Sequence, residues 1–384
     1  MRKDVRTDRT YLVYAESADA EIRHRVPAGA HGSLMFIHLV GEGDHVVCHA
    51  VDAKRMRGAP GINVMTLEEL GLQDFAESWR GDLGLAELSC YYEACRRLGV
   101  SGAVMVPSSF PAQAADFLRG RGLGVKIDEP FFTHARRIKT SDEIEGITRA
   151  RRVACAAMDA VSDALARAEA TENGALRLDG RALTCAALLD IAQRTLFEHG
   201  CLDNGSTVAR GSQATASHED GKGGLRLGEP VVVGIRPREL GLGCCADLTR
   251  TFVKGEPASD VAAAHALAVR AYQTMLEGMR AGIRISRIHD KVGRLAEQDE
   301  TLQATPVTGY CGSFGHGIGL EPYERPFLTT LPGELVGGDV IAVEPSYAVR
   351  GGVVAIGDCV KVDVDGADPL GEYPFGLMPR ALAS

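Results

Sequence analysis

No stretch of eighteen apolar residues occurs in this 384-residue chain, so nothing in it reads as a membrane-spanning helix. The first residues, MRKDVRTDRTYLVYAES, lack the apolar run of a signal peptide. None of the ten cysteines forms a CxxC pair, and several fall inside helical patterns. That argues against a zinc ribbon and against a secreted disulfide framework, and sets the expectation of reduced thiols in a cytoplasmic protein. Long basic runs are missing as well, and the net charge is -9. Nucleic-acid binding therefore has little electrostatic support, and a short cluster such as His134–Lys139 reads as a solvated face. Phosphate loops, dinucleotide fingerprints, short repeats and low-complexity segments are all absent. What is left is a globular protein, with 45% apolar and 24% charged residues, whose expected partner is a small molecule.

Glycine, by contrast, is abundant at 45 residues, which suits many turns and close backbone approaches. The length predicts two domains, each able to bury its own core. In the first 135 residues, the runs Leu34–Val40, Asp44–Cys48 and Gly102–Pro107 read as buried strands, and Phe110–Gly120 as a short helix. This is the pattern of an α/β domain with a mixed sheet. Thr140-Ser-Asp-Glu143 then reads as a capping box, because hydroxyl and carboxylate each accept an orphan amide. Behind it Ile144, Ile147, Ala150, Ala154, Ala157, Met158, Val161 and Leu165 recur at helical spacing. Further helices are expected at Asp179–Glu198, Ser259–Arg280 and Ser286–Glu297. Strands are expected at Pro230–Ile235, Asp247–Val253, Asp339–Glu344 and Val353–Val364. The expected domains are residues 1–138 and 139–384.

Four segments carry chemistry. They are Ser217-His218; Ala246–Phe252 (ADLTRTF); Gly315–Pro326 (GHGIGLEPYERP); and Ile341–Pro345 (IAVEP) taken with Gly352–Asp358 (GVVAIGD). Alone, each has a plain explanation: an Asp before a strand is usually a cap, and GHGIG is usually a tight turn. In this order and spacing they resemble the pita-bread family of methionine aminopeptidase, aminopeptidase P, prolidase and creatinase. The likeness covers Ser141–Ser384 and includes the Leu377-Met-Pro-Arg380 ending. It implies an α+β chain, with a pita-bread catalytic domain preceded by a smaller α/β domain as in creatinase and aminopeptidase P.

The same resemblance implies a dinuclear site of two Asp, one His and two Glu. Asp247, His316 and Glu344 match three of these positions, while the other two hold Gly234 and Gly357. Tyr323 stands where the family carries a substrate-binding His. Glycine has no donor atom, so two ions are not expected. Arg236 shares the face of Gly234 and would repel a cation. Asp358 is expected to point away from the site, and Cys359 to lie about 6–7 Å along the strand from Gly357.

Three functions follow from these residues. The leading expectation is a metal-independent, creatinase-like enzyme without cofactor, cleaving a C–N bond of a small amino-acid-like or amidino substrate by hydrolysis or elimination. His218 would be its general acid/base, beside Asp247, His316 and Glu344. Tyr323, Glu324, Arg325 and Arg236 would bind substrate, the arginines through two-pronged contacts to a carboxylate. The alternative is a mononuclear hydrolase or oxygen-using enzyme holding one Mn, Fe or Zn ion on Asp247, His316 and Glu344. A third is a binding module that has lost catalysis. Resemblance to creatinase also implies a homodimer.

Overall fold

Apolar runs in the first third of the chain become a sheet with both faces covered. In the computed structural model, which describes residues 9–26, 31–58, 61–215, 221–298, 302, 304–308 and 312–382, the chain divides into two compact units meeting at Arg136 and Arg137. The first unit has a six-stranded mixed sheet. Thr10–Glu16 pairs antiparallel with Ser33–Leu39 and parallel with Ala103–Val106. Gly43–Cys48 and Ile62–Thr66 extend one edge, and Gly124–Ile127 the other. Strand residues alternate faces. Leu12, Met35, Ile37 and Val47 therefore meet the helices Leu83–Arg97 and Ala112–Arg119 on one side. Tyr11, Val13, Phe36 and Val46 meet Ile22, Ala53, Met56 and Phe132 on the other. Burial on both faces is why these strands read as nearly unbroken apolar runs.

The second unit opens on the long helix Ser141–Arg167. Thr140 Oγ1 accepts from the Glu143 amide at 3.1 Å, and the Glu143 carboxylate accepts from the Thr140 amide at 2.8 Å. The capping box is real, and such a cap typically stabilises a helix by about 1 kcal/mol. The helix buries Ala154, Ala157, Met158 and Val161 against the helix Cys185–Glu198 and against a three-stranded sheet of Thr207–Arg210, Pro230–Ile235 and Leu248–Val253. A second helix pair, Ser259–Gly278 and Ile285–Glu297, covers a five-stranded sheet. Its strand order is Glu324–Phe327, Gly315–Gly317, Val340–Val343, Asp358–Val362, Ala367–Pro369.

Two expected elements differ. The helix foreseen from Asp179 starts only at Cys185, because Arg181–Ala182 is held in a ladder with Leu176–Leu178. The single strand foreseen over Val353–Val364 is two strands. Gly352–Ala355 pairs with Ser346–Val349 in one sheet, and Asp358–Val362 pairs with Val340–Val343 in another. Gly357 lies at the break, where its amide and carbonyl exchange hydrogen bonds with the backbone of Thr249. Among the described residues no helix is long and apolar enough to cross a membrane.

Candidate active site

Three strands bring the site together. Asp247 immediately precedes Leu248–Val253, whose register pairs Ile235 with Leu248. One step further along that register places Arg236 opposite Asp247. His316 is the middle residue of Gly315–Gly317, paired with Ala342, and Glu344 follows the end of Val340–Val343. Both glycines of the GHG segment are needed for this pairing. A Cβ on Gly315 would run into the carbonyl oxygen of Ala342, and one on Gly317 into that of Arg325. Gly315 also has φ +154°, which disfavours other residues.

Asp247, His316 and Glu344 each offer one ligand atom, and the three atoms lie within 4.8 Å of one another. His316 Nδ1 donates to the Gly317 carbonyl oxygen at 2.9 Å, which turns Nε2 toward the carboxylates. Nε2 is buried and makes no hydrogen bond among the described residues, although Glu344 Oε2 lies 3.4 Å away. An imidazole anchored through one nitrogen by a carbonyl, with the other nitrogen turned to two carboxylates, is the usual arrangement of a metal ligand. The donor set therefore fits one hard or borderline divalent ion.

Positions 234 and 357, both glycine, offer no side-chain donor to a second ion. A Cβ on Gly234 would lie 3.3 Å from both terminal nitrogens of Arg236, and one on Gly357 would lie 3.0 Å from Thr249 Cβ. Arg236, 7% exposed, donates from Nε to Asp247 Oδ2 at 2.7 Å and from Nη1 to the Gly205 carbonyl at 3.0 Å. Its Nη2 lies 3.8 Å from Glu344 Oε1. Burial raises the proton affinity of the Asp247 carboxyl, with Arg236 opposing and Glu344 reinforcing the shift. Burial alone would lower the His316 imidazole, but Glu344, the Gly317 carbonyl and Asp247 outweigh it and hold it above its ordinary value. The floor under Asp247 is Cys359, whose sulfur lies 3.3 Å from the Asp247 amide and 3.4 Å from its carbonyl oxygen.

The other sequence candidates separate. Tyr323, 40% exposed, packs against His316 with ring centroids 4.4 Å apart and planes tilted by 48°. Burial pushes its phenol up to about 12, Arg236 opposing and the two carboxylates adding. Arg325 is exposed, whereas Glu324 is buried in an ion pair with Lys139. Arg238 is tied to Glu321 and to the Leu320 carbonyl. Cys245 is buried, and its sulfur lies near the carbonyls of Gly243 and Leu320. Asp358 is turned to Arg151 and Arg250. His218 lies outside the described residues. Thr249 was missed by the sequence reading. Its hydroxyl donates to Asp247 Oδ1 at 3.2 Å, and only its place two residues along the same strand from Asp247 could have singled it out.

Residues 145–363 match the metallopeptidase family M24. Among curated proteins, "Probable dipeptidase PepE" of Mycobacterium bovis is 34% identical over 158 residues, which is 40% of each chain. Less than half of that relative's length is therefore spanned. The X-Pro aminopeptidase of Thermotoga maritima MSB8 superposes with a TM-score of 0.75 at 16% identity, over 97% of both chains. The Xaa-Pro dipeptidase of Bacillus anthracis gives 0.74 at 18% identity, over 96% of this chain and 94% of that one. At such identities the two structures establish the fold: a pita-bread α+β chain with an N-terminal α/β domain.

These findings overturn two expectations. A metal-independent, creatinase-like C–N-cleaving enzyme is not what the relatives indicate, since the curated relative is named a dipeptidase and the family is one of metallopeptidases. The expectation of no cofactor falls with it. Its physical basis was the pair of glycines, but Asp247, His316 and Glu344 still converge on one point without them.

Proposed function

The chain belongs to the metallopeptidase family M24, and on that footing we propose that it is a single-metal hydrolase of small peptides, with one divalent ion held by Asp247, His316 and Glu344. The observation that carries this reading is the buried Nε2 of His316, turned by the hydrogen bond from Nδ1 to the Gly317 carbonyl toward two carboxylates, with Glu344 Oε2 3.4 Å away. When bound, the ion would supply Lewis-acid polarisation and a more acidic water. Glu344, whose side chain is 24% exposed, is placed to take the proton of the attacking water. Water oxygen then adds to the peptide carbonyl carbon, the C–N bond breaks, and the proton passes to the departing amine. Tyr323 keeps its phenolic proton at neutral pH and can donate a hydrogen bond to the oxyanion. We place the protein in a reducing compartment as a homodimer. The nine described cysteines, all free, support the first point.

The test combines metal analysis with a dipeptide panel that includes X-Pro substrates. Protein dialysed against Mn²⁺ should retain about one equivalent. His316→Ala should lose both metal and hydrolysis. Retention of under about a tenth of an equivalent with Mn²⁺, Fe²⁺ and Zn²⁺ alike would end the proposal.

A further inference from the structure

We infer that Arg236 is the permanent second cation of this centre, standing where a side chain at position 234 would stand. The inference rests on the one-ion reading above. Gly234 and Arg236 are two apart on one strand edge, so their side chains share a face. The arginine side chain folds back along that face, and its terminal nitrogens come 3.3 Å from the place a Cβ on Gly234 would take. Thr207 Oγ1 closes the same space at 3.2 Å. The guanidinium and the Thr207 hydroxyl thus crowd the place where a side chain at 234 would begin.

The guanidinium is fixed on several sides. Its Nη1 donates to the Gly205 carbonyl at 3.0 Å and to Thr207 Oγ1 at 3.3 Å, and its Nε donates to Asp247 Oδ2 at 2.7 Å. Its backbone amide donates to Ser206 Oγ at 2.9 Å. A guanidinium this buried and this tethered does not swing out to meet a substrate carboxylate, which sets its role apart from the substrate-binding one expected from sequence. Charge points the same way. Asp247 and Glu344 bring two negative charges, and Arg236 offsets one of them. What remains suits one divalent ion beside His316 and not two. Arg236 is thus a positioning residue: it holds Asp247 Oδ2, while Oδ1, which accepts one hydrogen bond from Thr249, keeps a second lone pair for the ion beside Glu344 and His316.

Calorimetric titration with Mn²⁺ of the full chain, its Arg236→Gln variant and its Arg236→Lys variant tests this. Wild type should take one ion. Arg236→Gln should bind its first ion at least about tenfold more tightly, because a like charge a few ångströms away is gone. Added Mn²⁺ should also raise its melting temperature more than it raises wild type's. Arg236→Lys, which keeps the charge, should stay within about threefold of wild type. Equal affinity in the Gln variant and wild type would overturn the inference and leave the one-ion reading intact, and two ions in wild type would overturn both. Binding by the Gln variant alone would uphold Arg236 as the cation and remove the one-ion reading of the natural chain. No binding by any variant would remove both. If the Gln variant does not fold, Gly234→Ala decides. Its Cβ would crowd the guanidinium at 3.3 Å and shift it slightly, so an Mn²⁺ affinity changed by at least about threefold supports the inference and an unchanged one overturns it.

Discussion

Asp358 is shared by two buried arginines, and replacing it by Asn should cost more than any surface change near the centre. It accepts from Arg151 Nε at 2.6 Å and Nη2 at 2.9 Å, and from Arg250 Nη2 at 3.1 Å. All three side chains are at most 5% exposed. The two arginines are not equally dependent on it. Arg250 also donates to the carbonyls of Thr249, Gly357, Tyr373 and Pro374. Among the described residues Arg151 donates, besides Asp358, only to the Cys155 sulfur, at 3.7 Å. Loss of the carboxylate therefore strands chiefly Arg151. Unit charges about 4 Å apart attract by about 4 kcal/mol at an effective dielectric of 20, and breaking a buried pair costs about 3–5 kcal/mol. Asn keeps the shape and one acceptor, so about 3 kcal/mol is expected, with Asp358→Ala nearer 5. In a unit of this size each kcal/mol moves the melting temperature by about 2–4 °C, so Asp358→Asn should lower it by about 6–12 °C. Calorimetry and urea melts would measure this. Adding Arg151→Met should recover at least about 1 kcal/mol, because the stranded charge is then gone. The reasoning is refuted by a loss under about 1 kcal/mol, or by a double variant that costs the full sum of the two singles.

Two further outcomes are expected. Burial holds the His265 imidazole below its ordinary value, with the Phe375 backbone opposing and Arg250 adding. The unfolded chain therefore takes up that proton first as pH falls below about 6.5, and stability is lost with acid. Between about pH 7.5 and 5.5, His265→Gln should flatten the fall in urea midpoint, and parallel falls in the two proteins would contradict this. Gly315→Ala should push His316 off the strand Val340–Val343, lowering stability by roughly 2 kcal/mol and abolishing Mn²⁺ binding. Unchanged Mn²⁺ binding would mean that the tight strand pairing is not what sets the histidine.

The parts of this molecule that were legible in its sequence are those set by neighbours along the chain. Thr140 and Glu143 announced a helix start because a capping box needs only four consecutive residues. The strand Pro230–Ile235 was placed to the residue by its apolar run and its flanking breakers. The split at Gly357 was not legible: an apolar run reads the same whether it stays in one sheet or passes from one to the next. Nor was the reach of Arg236. Alternation assigns a side chain to a face, but a long flexible side chain can lie over its neighbour two residues back, and it is the Gly205 carbonyl, the Thr207 hydroxyl and the Asp247 carboxylate that hold it there. The convergence of Asp247, His316 and Glu344, far apart in sequence, was reached through the order of motif segments rather than through any local pattern.

The ion pair between Arg236 and Asp247 also bears on how the chain comes together. Acidic side chains gathered without a counter-charge repel, and a centre built that way closes only when an ion arrives from outside. Here the counter-charge is covalently part of the strand that delivers it, eleven residues before its partner in sequence. The acidic pocket can thus close during folding itself, on a short loop and without waiting for the metal supply. Starved of ions, this protein should accumulate as a folded, vacant scaffold ready to be charged, not as an unfolded chain exposed to proteolysis.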